Sequence, residues 1–180
     1  YYLRNMKKII LITGGQRSGK SMYAERLALS MTDQPIYFAT ARIWDEEFKE
    51  RVKRHQARRG DNWTNIEEEK YLSHHIIYNK VCVVDCITLW CTNFFFDANQ
   101  NNPKEPVIDE ALDAIKKEFD QFTAQDATFI FVTNEIGSGG VSDNVVQRRF
   151  TDMEGWMNQY VASKADEVVL MVSGIPVKIK

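Results

Sequence analysis

The chain has 180 residues, 44% of them hydrophobic and 27% charged, enough apolar material for one packed domain with a sizeable core. Its formal net charge of -2 argues against nucleic acid as the main partner. No apolar run reaches membrane-spanning length, and Tyr1 to Asn5 lack the basic-then-apolar layout of a secretory signal.

Residues 1–5 precede Met6-Lys7-Lys8 and are read as a non-native or disordered N-terminal remnant. Residues 6–180 are expected to form a single P-loop nucleotide-binding domain, since no repeat, linker or low-complexity segment divides them. Residues 8–13 read as a strand, residues 14–21 as a glycine-rich loop, and residues 20–31 as a helix with Tyr23, Ala24, Leu27, Ala28 and Met31 on one side. A second strand is predicted over 36–40, a charged helix over roughly 44–58, a break at Gly60-Asp61-Asn62 and a short extended piece over 63–67. Residues 68–79 look helical. Residues 80–85 are a β-branched strand, and residues 86–97 are apolar and aromatic.

A polar loop over 99–106 leads into an amphipathic helix over 107–122, with Ile108, Ala111, Leu112, Ile115, Phe119 and Phe122 at helical spacing. Then follow a strand over 128–133, a glycine-rich loop over 134–140, a long helix over 144–165, a strand over 167–172, a turn at Ser173-Gly174 and a last strand over 176–180. Strands alternate with helices, and their apolar runs are uninterrupted. The expected fold is α/β, a mostly parallel sheet flanked by helices, closed by an antiparallel hairpin.

The loop Gly14-Gly15-Gln16-Arg17-Ser18-Gly19-Lys20-Ser21 has the spacing G-x-x-x-x-G-K-S between a strand and a helix. Such a loop turns successive backbone N–H groups toward phosphate oxygens, and the helix N-terminus adds positive potential. Lys20 is placed to reach the β- and γ-phosphates and Ser21 to ligate Mg²⁺. Asp85 ends an apolar strand, where ligands bind in such sheets, and is the acidic partner expected for the metal.

Three further features carry chemistry. His55 continues the face made by Phe48 and Val52, which suits a core histidine. Arg51, Arg54, Arg58 and Arg59 crowd the same segment, which suits either a solvated basic face or a polyphosphate site. In the latter case the arginines disfavour imidazolium, and a neutral imidazole beside phosphates is a nucleophile. Asn134-Glu135-Ile136-Gly137 follows a strand and precedes a long helix, as either an ordinary connection or a second phosphate- or substrate-facing loop. His74-His75 have no ligand-spaced partner and read as structural or surface residues. Cys82, Cys86 and Cys91 have no usual zinc spacing. An odd count beside a P-loop points to a reducing cytoplasm, with Cys82 a buried core thiol.

Together these residues resemble the bifunctional adenosylcobinamide kinase / adenosylcobinamide-phosphate guanylyltransferase family. The match runs over residues 7–180. It includes the loop Gly14 to Ser21, Ala39-Thr40-Ala41, the segment from Arg51 through His55 to Arg59 with Trp63 and Glu67-Glu68, and Asp85-Cys86-Ile87-Thr88 with Asn93. It continues through Thr133 to Gly137, Gly155 to Gln159, and Ala165 to Val168 with Gly174 to Lys180. The resemblance implies a RecA-like fold, a homotrimer, and two reactions. A nucleoside triphosphate, GTP or ATP, phosphorylates adenosylcobinamide. A histidine then takes GMP from GTP and passes it to adenosylcobinamide phosphate.

Carried over residue by residue, that histidine is His55, with Lys20 also catalytic. Nucleotide contacts fall on Gly14 to Ser21, Thr40, Ala41, Arg42, Gln56, Ala57, Arg58, Arg59, Glu67 and Asp85, and metal contacts on Ser21 and Asp85. Two departures, Gly60 where proline is common and Thr151 where arginine is frequent, lie outside this set. Without the resemblance, the residues also fit a generic P-loop small-molecule kinase with a structural His55. A RecA-like DNA-dependent ATPase and a non-catalytic nucleotide-binding module fit less well.

Overall fold

The computed structural model describes residues 7–180, apart from the side chain of Arg51, so the expectation for residues 1–5 lies outside the described residues. The strands are β1 (Lys8–Gly14), β2 (Ile36–Ala39), β3 (Thr64–Glu67), β4 (Val81–Asp85), β5 (Thr128–Val132), β6 (Glu167–Val172) and β7 (Ile175–Lys178). The helices are α1 (Lys20–Met31), α2 (Glu46–Arg58), α3 (Ile87–Ala98), α4 (Asp109–Thr123) and α5 (Val145–Lys164). The strands form one sheet in the order β3-β2-β4-β5-β1-β6-β7. All pairings are parallel except the β6–β7 hairpin.

Period-two alternation sorts the strand side chains between two cores. Ile9, Leu11, Phe38, Val84, Phe129 and Phe131 face α3, α4 and α5. Ile10, Ile12, Val83, Ile130 and Val132 face Ala24 and Ala28 of α1. Burial on both sides explains why these strands read as continuous apolar runs. The larger core is aromatic: Phe119 lies 5.2 Å from Phe131 and Phe122 5.1 Å from Phe129, between ring centroids. Each such fully buried side chain contributes about 1.5–3 kcal/mol relative to an exposed one.

Helix α3 turns the apolar stretch into a core element, with Ile87, Trp90, Cys91, Phe94 and Phe95 buried at helical spacing. By contrast, the helix expected over 68–79 is replaced by an irregular segment with a single short 3₁₀ turn, Leu72–His74. Side chains, one within the segment and two from far along the chain, take its backbone donors. The Glu68 carboxylate accepts the N–H groups of Lys70 and Tyr71, Glu118 accepts that of Ser73, and Gln125 that of Ile77. Leu72 and Ile77 anchor the segment in the core while Ile76 points outward, so the apolar residues do not share one helical face. In α1, Met31 also departs from its expected side and is exposed.

Candidate active site

The carboxyl edge of the sheet opens into a cleft of about 770 Å³. On one wall, β1 delivers Gly14 and the chain loops into α1. A Cβ on Gly14 would stand 2.7 Å from both the Met171 carbonyl and Ser18 Oγ, and Gly19 adopts φ +95° directly before the helix. Only glycine meets both demands without strain. Arg17, at the loop's crest, is itself left-handed at φ 59° and lines the cleft. Lys20 folds back so that Nζ donates to the Gly15 carbonyl at 2.5 Å, with Ser18 Oγ at 3.4 Å. Burial lowers the Lys20 pKa, partly opposed by the Asp85 charge.

At the floor, Ser21 Oγ donates to Asp85 Oδ2 at 2.6 Å, and the Tyr37 hydroxyl donates to the same oxygen at 2.8 Å. The parallel register explains the meeting: Ala39 pairs with Asp85, and Tyr37 lies two residues earlier on β2, on the α1 side of the sheet. The Arg59 guanidinium stacks on the Tyr37 ring at 3.4 Å, so this tyrosine supports a cation and a carboxylate at once. Sequence reasoning missed Tyr37 because it reads as an ordinary strand aromatic.

Helix α2 forms the opposite wall. Asp45 starts it by accepting the Phe48 N–H at 2.7 Å. Phe48, Val52 and His55 do share a face, but that face lines the cleft rather than joining the sheet's cores. The His55 pKa is lowered, first by burial and then by Arg58, so the imidazole is held neutral. Arg58 and Arg59 line the cleft beside it. Arg58 donates to Glu25 of α1 at 2.8 Å, and Arg59 donates to Asn65 at 2.9 Å. Among the described residues, buried Arg59 Nη1 finds no hydrogen-bond partner, although Glu25 lies 3.6 Å away. Arg54 is exposed on the outer side of the helix, outside the cleft lining.

The third wall is the loop after β5. This strand lies between β1 and β4, so residues 134–136 emerge between the phosphate loop and Asp85. The Glu135 N–H donates to the Gly14 carbonyl at 3.0 Å, and the Asn134 N–H donates to Thr88 Oγ1 at 3.0 Å. Behind them Glu154 is buried and accepts from Thr88 Oγ1 at 2.8 Å, and burial pushes its carboxyl up to about 7.

Among the sequence-derived candidates, Gln16 to Ser21, Ala41, His55, Arg58, Arg59 and Asp85 line the cleft. Gly14 is buried at the end of β1, and Gly15 is exposed with its carbonyl accepting from Lys20 Nζ and the Ser18 N–H. Thr40 is buried, its Oγ1 donating to the Cys86 carbonyl at 2.8 Å. Gln56 donates to Glu67 at 3.3 Å, and neither residue nor Ala57 lines the cleft. Arg42 is engaged elsewhere, bidentate on Asp97 at 2.8 and 3.0 Å and paired with Glu69 at 2.7 Å. His74 stacks on Tyr71, and His75 sits 3.2 Å from Glu68, so both are built into the segment that replaced the expected helix.

A parallel sheet with this loop, a basic histidine-bearing wall and an acidic floor defines a P-loop nucleotide-dependent transferase. The cobinamide kinase / cobinamide phosphate guanyltransferase family model matches residues 10–179. Two proteins named bifunctional adenosylcobalamin biosynthesis protein CobU, from Escherichia coli K12 and Salmonella typhimurium LT2, are each 38% identical over 96% of this chain and 99% of their own length. The Pseudomonas aeruginosa PAO1 protein named CobP is 34% identical over 94% of this chain and 96% of its own. A solved ATPase of a type III secretion system shares the fold at TM-score 0.57 and 10% identity, covering 92% of this chain and 51% of that one. The chain belongs to the cobinamide kinase / cobinamide phosphate guanyltransferase family, and its sheet is the RecA-like P-loop arrangement. It is an enzyme of adenosylcobalamin biosynthesis, phosphorylating cobinamide and transferring a guanylyl group to the product.

Proposed function

We propose that the two transfers share this one cleft and that His55 carries the guanylyl group between them. The observation that supports this is an imidazole on α2, its pKa lowered by burial and Arg58, facing the same space as Lys20, Ser21 and Asp85. In the first reaction an NTP held by the loop gives its γ-phosphoryl group to the hydroxyl of adenosylcobinamide. In the second, an imidazole nitrogen of His55 attacks the α-phosphorus of GTP. An N–P bond forms, the bond to pyrophosphate breaks, and the ring releases its N–H proton. A phosphate oxygen of adenosylcobinamide phosphate then attacks the same phosphorus, the N–P bond breaks, and adenosylcobinamide-GDP leaves. Lys20, Arg58, Arg59 and Arg17 offer positive charge to the phosphates, which is the main requirement of both transfers.

Mg²⁺ fits the floor: the Ser21 hydroxyl and one Asp85 carboxylate converge there, and such an ion takes few protein ligands beside phosphate oxygens. When bound, it neutralises charge on the polyphosphate. Residues 6–180 are read as one domain because one sheet takes in every described strand. The compartment inferred is the cytoplasm, which agrees with three free buried cysteines. A homotrimer is the assembly we carry forward. The exposed apolar residues Ile175 and Val177 on edge strand β7 offer it a surface, and light scattering at several protein concentrations tests it.

Incubation with Mg²⁺ and α-labelled GTP is expected to leave acid-labile, base-stable label on the protein. The label is lost in His55→Ala, while phosphorylation of adenosylcobinamide persists. Unlabelled wild-type protein would sink the histidine intermediate, and loss of both reactions in the variant would make His55 architectural.

A further inference from the structure

The two reactions make different demands on the cleft. An alcohol must lose its proton as it is phosphorylated, whereas a phosphate monoester is already an anion at neutral pH and needs no base. This distinction rests on the bifunctional reading above. Two carboxylates line the cleft, Asp85 and Glu135. Asp85 is at the floor with one oxygen accepting from both Ser21 and Tyr37, in the place suited to the metal.

Glu135 is exposed on the third wall. Its backbone is pinned to the first residue of the phosphate loop by the bond to the Gly14 carbonyl at 3.0 Å. Its Oε1 accepts the Gly137 N–H at 2.9 Å, which aims the carboxylate, and no hydrogen bond among the described residues engages Oε2. Of the other groups lining the cleft, His55 stands on the opposite wall and is assigned to the guanylyl step, the Cys86 thiol is pushed up to about 12 by burial, and the Tyr37 hydroxyl is donating to Asp85.

We propose that Glu135 is the base for phosphoryl transfer and that guanylyl transfer does not use it. The acceptor oxygen bonds to the γ-phosphorus and its proton passes to Glu135. The bond to the bridging oxygen breaks, and its electron pair leaves with the nucleoside diphosphate. The position of β5 between the P-loop strand and the Asp85 strand sets this up, because whatever follows β5 emerges between the phosphate loop and Asp85, beside the phosphates the loop would grip.

Glu135→Gln keeps an oxygen for the Gly137 N–H and removes the base. It is expected to lower kcat for adenosylcobinamide phosphorylation by about 10²–10⁴-fold, with little change in nucleotide KM. The acidic limb of the kinase pH profile should disappear with it, and Glu135→Asp should recover part of the rate. In single turnover the variant still forms the labelled histidine adduct and passes it to adenosylcobinamide phosphate. Equal losses in both reactions, or no loss in the kinase reaction, overturn the assignment. A wild-type protein that never phosphorylates adenosylcobinamide instead overturns the bifunctional reading, and Glu135's role with it.

Discussion

The two facing walls of the cleft are built on opposite principles. The phosphate loop is the continuation of a central strand, clamped between Glu135, Met171 and Gly174 and leading into a helix packed on the sheet. Helix α2 is held from outside the cores: an N-cap, the Arg58–Glu25 ion pair, and a Gln56–Glu67 bond. Its Lys49–Glu46 and Lys53–Glu50 pairs are exposed and contribute about 0–1 kcal/mol each at most. One wall is built into the sheet where the phosphate loop sits, and the other, which carries His55, is tied down by surface contacts. We propose that α2 shifts when GTP binds; identical helix positions with and without GTP would remove the idea.

Substitutions can break this contrast. The largest effect is expected from Lys20→Ala, which should cost about 10²–10³-fold in both reactions because both use the same grip. A loss in only one would mean that the two transfers do not share a phosphate site. Next comes stability. Phe119→Ala, beneath the sheet that carries the phosphate loop, should destabilise the fold by about 3–5 kcal/mol in denaturant titration. Val52→Ala on α2 should lie within about 1 kcal/mol of wild type while slowing adduct formation. Comparable melting losses would show α2 to be a core helix after all.

Charge and pH sharpen the comparison further. Glu154 has its pKa raised from the ordinary carboxyl value to about 7 in the folded state, so the native protein holds a proton that the unfolded chain releases earlier. Its contribution to stability is fully present below the unfolded pKa and is lost as pH rises through about 7. Glu154→Gln should therefore gain on wild type as pH rises from 5 to 8, on the order of 2 kcal/mol at the upper end. A constant offset would place the carboxylate in water. On the α2 wall, Arg58→Ala removes a charge that depresses His55, so the acidic limb of adduct formation should move to higher pH. Most local of all, Asp45→Ala removes the α2 cap, worth about 0.5–2 kcal/mol to the helix end, and is expected to appear as faster amide exchange in residues 46–49 with little change in global melting.

Legibility from sequence follows the same division. The loop, α1 and β4 could be read directly because their signals are local: glycine spacing, a β-branched run, an acid at the strand's end. Residues 68–79 could not, since Glu118 and Gln125, far along the chain, supply the acceptors that make a non-helical backbone cheaper than a helix. His55 could be placed on a face with Phe48 and Val52. Whether that face met core or cleft was settled by contacts with distant parts of the chain, such as the Arg58–Glu25 ion pair to α1. Arg42 shows the reverse case, a basic residue beside a nucleotide motif that the fold engages with Asp97 and Glu69.

The phosphate loop and the mostly parallel α/β order of elements are written in contiguous spacing and periodicity, and the family with its two transfers is reached through resemblance of motifs along the chain. That Tyr37 supports Asp85, that α2 turns its apolar face to the cleft, and that Glu135 stands beside the phosphate loop became visible once the chain was folded. Those facts depend on strand order and register. The parallel pairing of β2 with β4, and of β5 with both β1 and β4, brings together at one edge residues that are dozens of positions apart.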